Sequence, residues 1–319
     1  LGNPANGGFP DSLPLVRVMN QISEQFPGSP APAQVVVTGS GLDSPRVARA
    51  VAALSARASA RGPLRQPVTA TAVADGRALI VSVPLAGNGD DSVTDHALLY
   101  LRDHALPSTL GRAGGLHYDV GGDAAGNHDD IATLHSRIPL VLAVVALLAF
   151  LLLLVAFRSV AVSLVSVGLN LLSVCAGFGV ITLIFQDGHL EKLLGFTSYG
   201  AIVPWVPLFL FVFLFGLSMD YHVFILSRIR ELRGRGASIP DAVVGGISSS
   251  AGVVTSAAVI MVAVFAILAT LSLIALQMLG VGLAVAVLID ATVVRGILVP
   301  ASIALLGKRT WALPGSRAR

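Results

Sequence analysis

Apolar positions follow two regimes along this chain. Up to about residue 121 they come in short segments with strand or helix periodicity, whereas from residue 138 they form long runs without charge. In the first regime "QVVVTG" (34–39) predicts a strand and "SPRVARAVAALSARA" (44–58) an amphipathic helix. "PVTATAVA" (67–74) and "RALIVSVPL" (77–85) predict two strands, "SVTDHALLYLRDHA" (92–105) a second helix and "LHYDV" (116–120) a last strand. Turn residues stand at the breaks, as Gly62-Pro63, Asp75-Gly76 and the glycines at 87 and 89. The order βαββαβ predicts a split, ferredoxin-like α+β sheet with helices on one face, preceded by a helix near residues 11–26.

In the second regime, uncharged runs cover residues 138–157, 159–186, 193–219 and 242–289. Crossing a bilayer core takes about 20 apolar residues, so the last run must be divided, and "ATLSLIALQ" (269–277) supplies the break. Five transmembrane helices are predicted, at about 138–157, 160–185, 203–227, 244–269 and 275–305. The predicted organisation is an outer domain over residues 1–137, a helical membrane bundle over 138–306 and a tail over 307–319.

Composition agrees: 54% of the 319 residues are hydrophobic and only 12% are charged, a profile outside that of soluble domains. Charge then orients the spans. Arg158, Arg228, Arg230, Arg233, Arg235, Lys308, Arg309, Arg317 and Arg319 fall in one set of loops and the tail, while the alternate loops hold only Lys192. Positive loops stay inside, which makes the tail cytoplasmic and residues 1–137 extracytoplasmic. The net charge of +3 gives no basic patch for nucleic acid. The single Cys175 is read as a packed small hydrophobe. The chain begins with Leu1 and shows no signal peptide, and it is read as a piece of a longer protein.

Against this background Asp220 stands out, in "FLFGLSMDYHVFILSRIRE" (213–231). On a helix it lies roughly 22 Å from Trp205 and about 12 Å from Arg228, inside the hydrocarbon core. A charge there costs roughly 2.5–3.5 kcal/mol on insertion scales unless it is protonated, partnered or wetted. Such a carboxyl can be poised to take up and release a proton, with the Tyr221 phenol as a relay partner. His222 follows two residues on, about 200° around the helix, and is read mainly as a packing or interfacial residue, with a titrating role in support of the relay as the alternative.

The last span carries Asp290 and Arg295, whose spacing of five is not the three or four that pairs side chains on an α-helix. Each is therefore expected to reach a neighbouring helix. Thr255 and Ser256, in "SSSAGVVTSAA" (248–258), are possible supporting partners for the relay. Ser238 and Asp241 have the spacing of a capping box. Asp119, Asp123, His128, Asp129, Asp130 and His135 are read as a solvated linker rather than a metal site. No metal or cofactor is expected. The chain has no His-Glu-x-x-His motif, and "LLGKRT" fails as a phosphate loop because Ser302 stands where its first glycine belongs. No nucleophile and base share a catalytic spacing, so an enzyme is not expected.

These features together resemble the C-terminal half of an MmpL-type (mycobacterial membrane protein large) transporter of the RND superfamily. The resemblance rests on "LGNPANGGFP" (1–10), "AFRSVAVSLVSVGLNLLSV" (156–174), "WVPLFLFVFLFGLSMDYHVFILSRIRE" (205–231), "SAAVIMVAVFA" (256–266) and "GLAVAVLIDATVVRGILVPA" (282–301). It implies a proton-driven actinobacterial exporter of lipids or hydrophobic metabolites, whose two halves each carry a periplasmic porter domain. It further implies that Asp220 and Tyr221 form this half's proton-relay pair, with Asp290 and Arg295 in support, and that the partners are membrane lipids, the cargo and the N-terminal half. Assembly into an oligomer is compatible with it. The sequence departs from the family's usual pattern at His222, where Glu is common. The alternative is a non-transporting sensor or scaffold with the same membrane fold.

Overall fold

The computed structural model describes residues 1–2, 8–9, 13–25, 32–59, 61–73, 75–87, 89 and 91–307. The basic residues expected in the tail, from Lys308 to Arg319, lie outside them, as does most of "LGNPANGGFP". The chain divides into two compact units, residues 1–134 and 135–319.

The first unit opens with a helix, α1 (Pro14–Gln25), and continues as β1 (Ala33–Gly39), α2 (Pro45–Ser55), β2 (Thr69–Val73), β3 (Ala78–Val83), α3 (Ser92–Tyr100) and β4 (Leu116–Gly121). The four strands form one antiparallel sheet in the order β2-β3-β1-β4. Alternation along β1 buries Ala33, Val35 and Val37 and exposes Gln34, Val36 and Thr38, as a sheet covered on one face requires. The buried set opposes Val83, Val81 and Leu79 of β3 and packs with Leu54 of α2 and Leu98 of α3. Between β2 and β3 the backbone has positive φ at both Asp75 and Gly76, the conformation that Asp-Gly turns favour. Asp91 caps α3, accepting a hydrogen bond from the Thr94 N–H at 2.9 Å.

The five predicted spans are present as long helices: Asp123–Phe157, Val160–Gln186, Val206–Gly234, Ile239–Leu268 and Ile274–Leu306. Each is long and apolar enough to cross a membrane. Capping explains two of their starts, where Ser159 accepts from the Val162 N–H and Ser238 from the Asp241 N–H. The fourth span ends at Leu268 and the fifth starts at Ile274, where the break was expected.

The first span begins earlier than expected. Residues 123–135, read from the sequence as a solvated linker, are helical. Arg102 holds Asp129 through two bonds, Nη1 to Oδ1 at 2.6 Å and Nη2 to Oδ2 at 2.8 Å, and His128 Nδ1 lies 3.1 Å from Asp95. These tertiary contacts, with Ala124 and Ala125 buried in the core of the first unit, order a helical turn whose charged residues mask its apolar side.

The fifth span is the centre of the membrane unit. In its most apolar window 67% of the residues are buried, against 11% for the fourth span and 17% for the first. Glycines bring its neighbours close: a Cβ on Gly177 would meet Ala286 at 3.0 Å, and one on Gly282 would meet Leu210 at 2.3 Å. The same span contains a π-helical stretch, Asp290–Leu298, between α-helical flanks.

Candidate functional site

Polar side chains buried in the membrane unit gather around that π-helical stretch. Asp290 and Arg295 are only 4% and 5% exposed, and they form an ion pair through Oδ2 and Nη2. The expectation that the two do not pair on one helix is therefore corrected, although each also reaches a neighbouring helix, Asp290 to Ser173 and Ser218 and Arg295 to Ser218 and Tyr221. In an α-helix, five residues turn about 500°, leaving side chains roughly 140° apart. In a π-helix, with i→i+5 hydrogen bonds and about 4.4 residues per turn, the offset is about 50°. The Val299 N–H bonds to the Val294 carbonyl, five residues back, so the backbone itself makes the pairing.

Hydroxyl groups complete the carboxylate's shell. Ser218 Oγ on the third span donates to Asp290 Oδ2 at 2.9 Å, and Ser173 Oγ on the second donates to Oδ1 at 3.2 Å. Ser218 Oγ also accepts from Arg295 Nη2 at 3.4 Å, so it bridges both charges. Buried charges persist when they are paired and hydrogen-bonded in this way.

Tyr221 is half-buried, and its ring lies 4.3 Å from the Arg295 guanidinium carbon, a cation–π contact. Its hydroxyl approaches Met261 Sδ at 3.8 Å. His222, 2% exposed, lies with Nδ1 3.1 Å from the Ser218 carbonyl oxygen. Asp220 has the opposite fate, standing exposed on the outer surface of the third span. Consecutive residues point about 100° apart. One helix thus turns Tyr221 and His222 toward the buried ion pair and Asp220 away from it.

Thr255 and Ser256 do not join the cluster. Both are exposed, and Ser256 Oγ bonds back to the carbonyls of Gly252 at 2.8 Å and Val253 at 3.1 Å. The fourth span contributes Ala258 and Met261 instead. Asp119 and the polar residues after it assemble no group of three metal-ligating side chains among the described residues.

Ser173, Ser218 and Asn170 are the site residues that sequence reasoning missed. A signal existed in the second span, where Ser163, Ser166, Asn170, Ser173 and Gly177 recur at helical spacing and all are buried. Asn170, Ser173, Ser218, Tyr221, Asp290 and Arg295 line a common cavity of about 10 Å³. Chemically, the arrangement is a fixed counter-ion pair whose field reaches Tyr221, beside a carboxyl that faces away from the bundle.

Comparison with known proteins gives this arrangement a context. The sequence pattern of the MMPL family matches residues 8–319. The mycolic acid-containing lipids exporter MmpL11 of Mycolicibacterium smegmatis is 37% identical over 98% of this chain. The heme uptake protein MmpL11 of Mycobacterium tuberculosis is 38% identical over 90% of the chain, and the trehalose monomycolate exporter MmpL3 of that organism is 33% identical over 61%. The chain spans 33%, 30% and 21% of the lengths of these relatives, respectively.

Proposed function

The chain belongs to the MMPL family, whose relatives named above are membrane transport proteins and not enzymes, and we propose that it is the C-terminal half of a proton-motive-force-driven exporter of lipids or hydrophobic metabolites. On this reading residues 1–137 are an extracytoplasmic porter domain of ferredoxin-like fold, in keeping with the sheet order β2-β3-β1-β4. Residues 138–306 form half of the membrane domain, and 307–319 are the cytoplasmic tail, as the arginines at 158, 228, 230, 233 and 235 favour. The lipid cargo follows from two of the relatives, whose names specify mycolic lipids.

One observation carries the coupling mechanism: an acidic side chain within a span, exposed to whatever adjoins the third span and next in sequence to a tyrosine stacked on a buried arginine. Asp220 takes up the proton, and the charged form is satisfied by the N-terminal half of the transporter. Protonation removes one negative charge beside the Tyr221–Arg295–Asp290 cluster, which biases the packing of the third span against the second and fifth. A proton crossing the full potential supplies about 2.3 kcal/mol per 100 mV to this work. Asp290 and Arg295 support the relay, and no cofactor takes part.

The test is Asp220→Asn in the full-length protein, in cells fed radiolabelled acetate. Surface-extractable labelled acyl lipid is measured, with membrane abundance followed by blot. Export is expected to collapse while abundance holds. A sensor or scaffold would tolerate the substitution, and export that persists rejects the relay.

A further inference from the structure

We infer that the cavity among the second to fifth spans is a binding site for a single water molecule, and that Asn170 is the residue that positions it against the Asp290–Arg295 pair. The inference deepens the proton-coupling reading and rests on it for its functional part. Its structural part stands on the geometry of the cavity.

Asn170 is 2% exposed and sits in the second span, one helical turn before Ser173. Its Nδ2 donates to the Phe215 carbonyl oxygen at 3.4 Å, which fixes the orientation of the carboxamide, because a carbonyl can only accept. The oxygen, Oδ1, then points elsewhere and has no partner among the described residues. Arg295 is in the same condition. Its Nη2 serves Asp290 and Ser218, while its buried Nε–H has no partner among them. Buried polar atoms in folded proteins are nearly always paired with protein or with ordered water.

The unpaired acceptor and the unpaired donor belong to residues that line one cavity, of about 10 Å³. That is the room of about one water, and a stable internal water needs two to four polar partners. Accepting from Arg295 Nε and donating to Asn170 Oδ1 gives it two, and the Asp290 carboxylate and the serine hydroxyls supply the rest. A metal cation is excluded on charge, since the guanidinium already neutralises the only carboxylate in the lining. A larger solute is excluded on volume.

The consequence concerns how a proton change is felt at Asp290. The titratable groups facing this carboxylate are Arg295 on its own span and Tyr221 and His222 on the third, and the second and fourth spans present none to the cavity. A water held by Asn170 is then a hydrogen-bonding element of the cluster with no covalent tether. It can reorient about all axes when the field of the third span changes, whereas the serine hydroxyls turn only about their C–O bonds and the carboxamide is held by Phe215.

The experiment is infrared difference spectroscopy on the full-length protein in lipid, exchanged between ordinary and ¹⁸O-labelled water. An isotope-sensitive O–H band of an internal water is expected in the unmodified protein. It is expected to vanish in Asn170→Leu, which keeps volume and removes the acceptor, and to survive in Asn170→Ser, which keeps an acceptor and enlarges the cavity. Acyl-lipid export, normalised to membrane abundance, is expected to fall by about tenfold or more in the Leu variant and to be restored in the Ser variant. A band unchanged in Asn170→Leu overturns the site. A band lost with export intact overturns the positioning role. Asp220→Asn is measured alongside: if it exports normally while the band still depends on Asn170, the proton relay fails and the water site stands. Should Asn170→Leu not accumulate, a water-resolving cryo-EM map of the unmodified protein decides the site, with a cavity free of density counting against it.

Discussion

The π-helical stretch of the fifth span makes a prediction that an ordinary helix would not: residue Val293 can be deleted at little cost. A π segment behaves as an α-helix carrying one extra residue. Removing one of its residues restores i→i+4 bonding while leaving the flanks in phase, and Asp290 and Arg295, then four apart, still share a face. Val293 is exposed, so no packing is lost with it. The expected cost is about 1 kcal/mol, the scale of an ordinary point substitution. Were the span a regular α-helix, the same deletion would rotate everything after it by about 100°. Val299 and Ile303 would leave their buried positions, at roughly 1.5–3 kcal/mol each. The control is deletion of Leu172, an equally exposed residue of the second span, where the helix is α throughout Val160–Ile181 and where Ser173, Val174, Gly177 and Ile181 follow on the buried face. The assay is the thermal midpoint of full-length protein in detergent, read by fluorescence-detected size exclusion. If loss of Val293 destabilises as much as loss of Leu172, the π-helical account of the ion pair is wrong.

Two further predictions concern single side chains. Gly280→Ala places a Cβ 2.5 Å from the Ala269 nitrogen and 2.7 Å from the Phe265 oxygen, backbone atoms that cannot swing aside, so it is expected to lower the thermal midpoint by the equivalent of about 1–3 kcal/mol. Gly216→Ala, with nothing within 4 Å of the new methyl, is expected to leave the midpoint unchanged or raise it. Tyr221→Phe keeps the ring under Arg295 and is expected to retain stability, whereas Tyr221→Leu removes a contact of about 0.5–2 kcal/mol. If the phenol relays protons, both variants lose acyl-lipid export and only the second loses stability.

Much of the fold was legible because its signals are local. Alternation gave the strands, as in Ala33, Val35 and Val37 facing inward. Uncharged length gave the spans, and Ser238 with Asp241 marked a helix start that the structure caps in that way. What escaped was set by tertiary contacts. Residues 123–135 carry many charged and polar groups, and their helix is tied down by Arg102 and Asp95 from a segment some thirty residues earlier and by burial of Ala124 and Ala125. The Asp290–Arg295 pairing was missed because a spacing rule for α-helices was applied to a π segment. Charge conservation inside a bundle offered a better guide. Among the described residues Asp220, the other acidic residue in mid-span, lies exposed, which leaves Asp290 as the partner of the buried Arg295. Asn170 and the serines of the second span carry no charge, so in the sequence they are marked only by their recurrence at helical spacing.

The two carboxyls of the membrane unit are satisfied in different ways, and that difference bears on which of them moves a proton. Asp290 has an arginine and two serine hydroxyls in contact, so its charged form is held by groups of this chain alone. Protonating it would leave Arg295 buried without a counter-ion, a penalty of several kcal/mol per ion. Asp220 has no such anchor: it is exposed on the third span, where an unpartnered charge in hydrocarbon costs about 2.5–3.5 kcal/mol and a protonated carboxyl avoids that cost. In the proposed transporter the N-terminal half adjoins that face. A group whose charge depends on the approach of a partner can couple proton uptake to the movement of that partner. In the proposed relay Asp290 serves instead to hold Arg295 under Tyr221, so that the residue next to Asp220 is anchored in the bundle while Asp220 faces the N-terminal half.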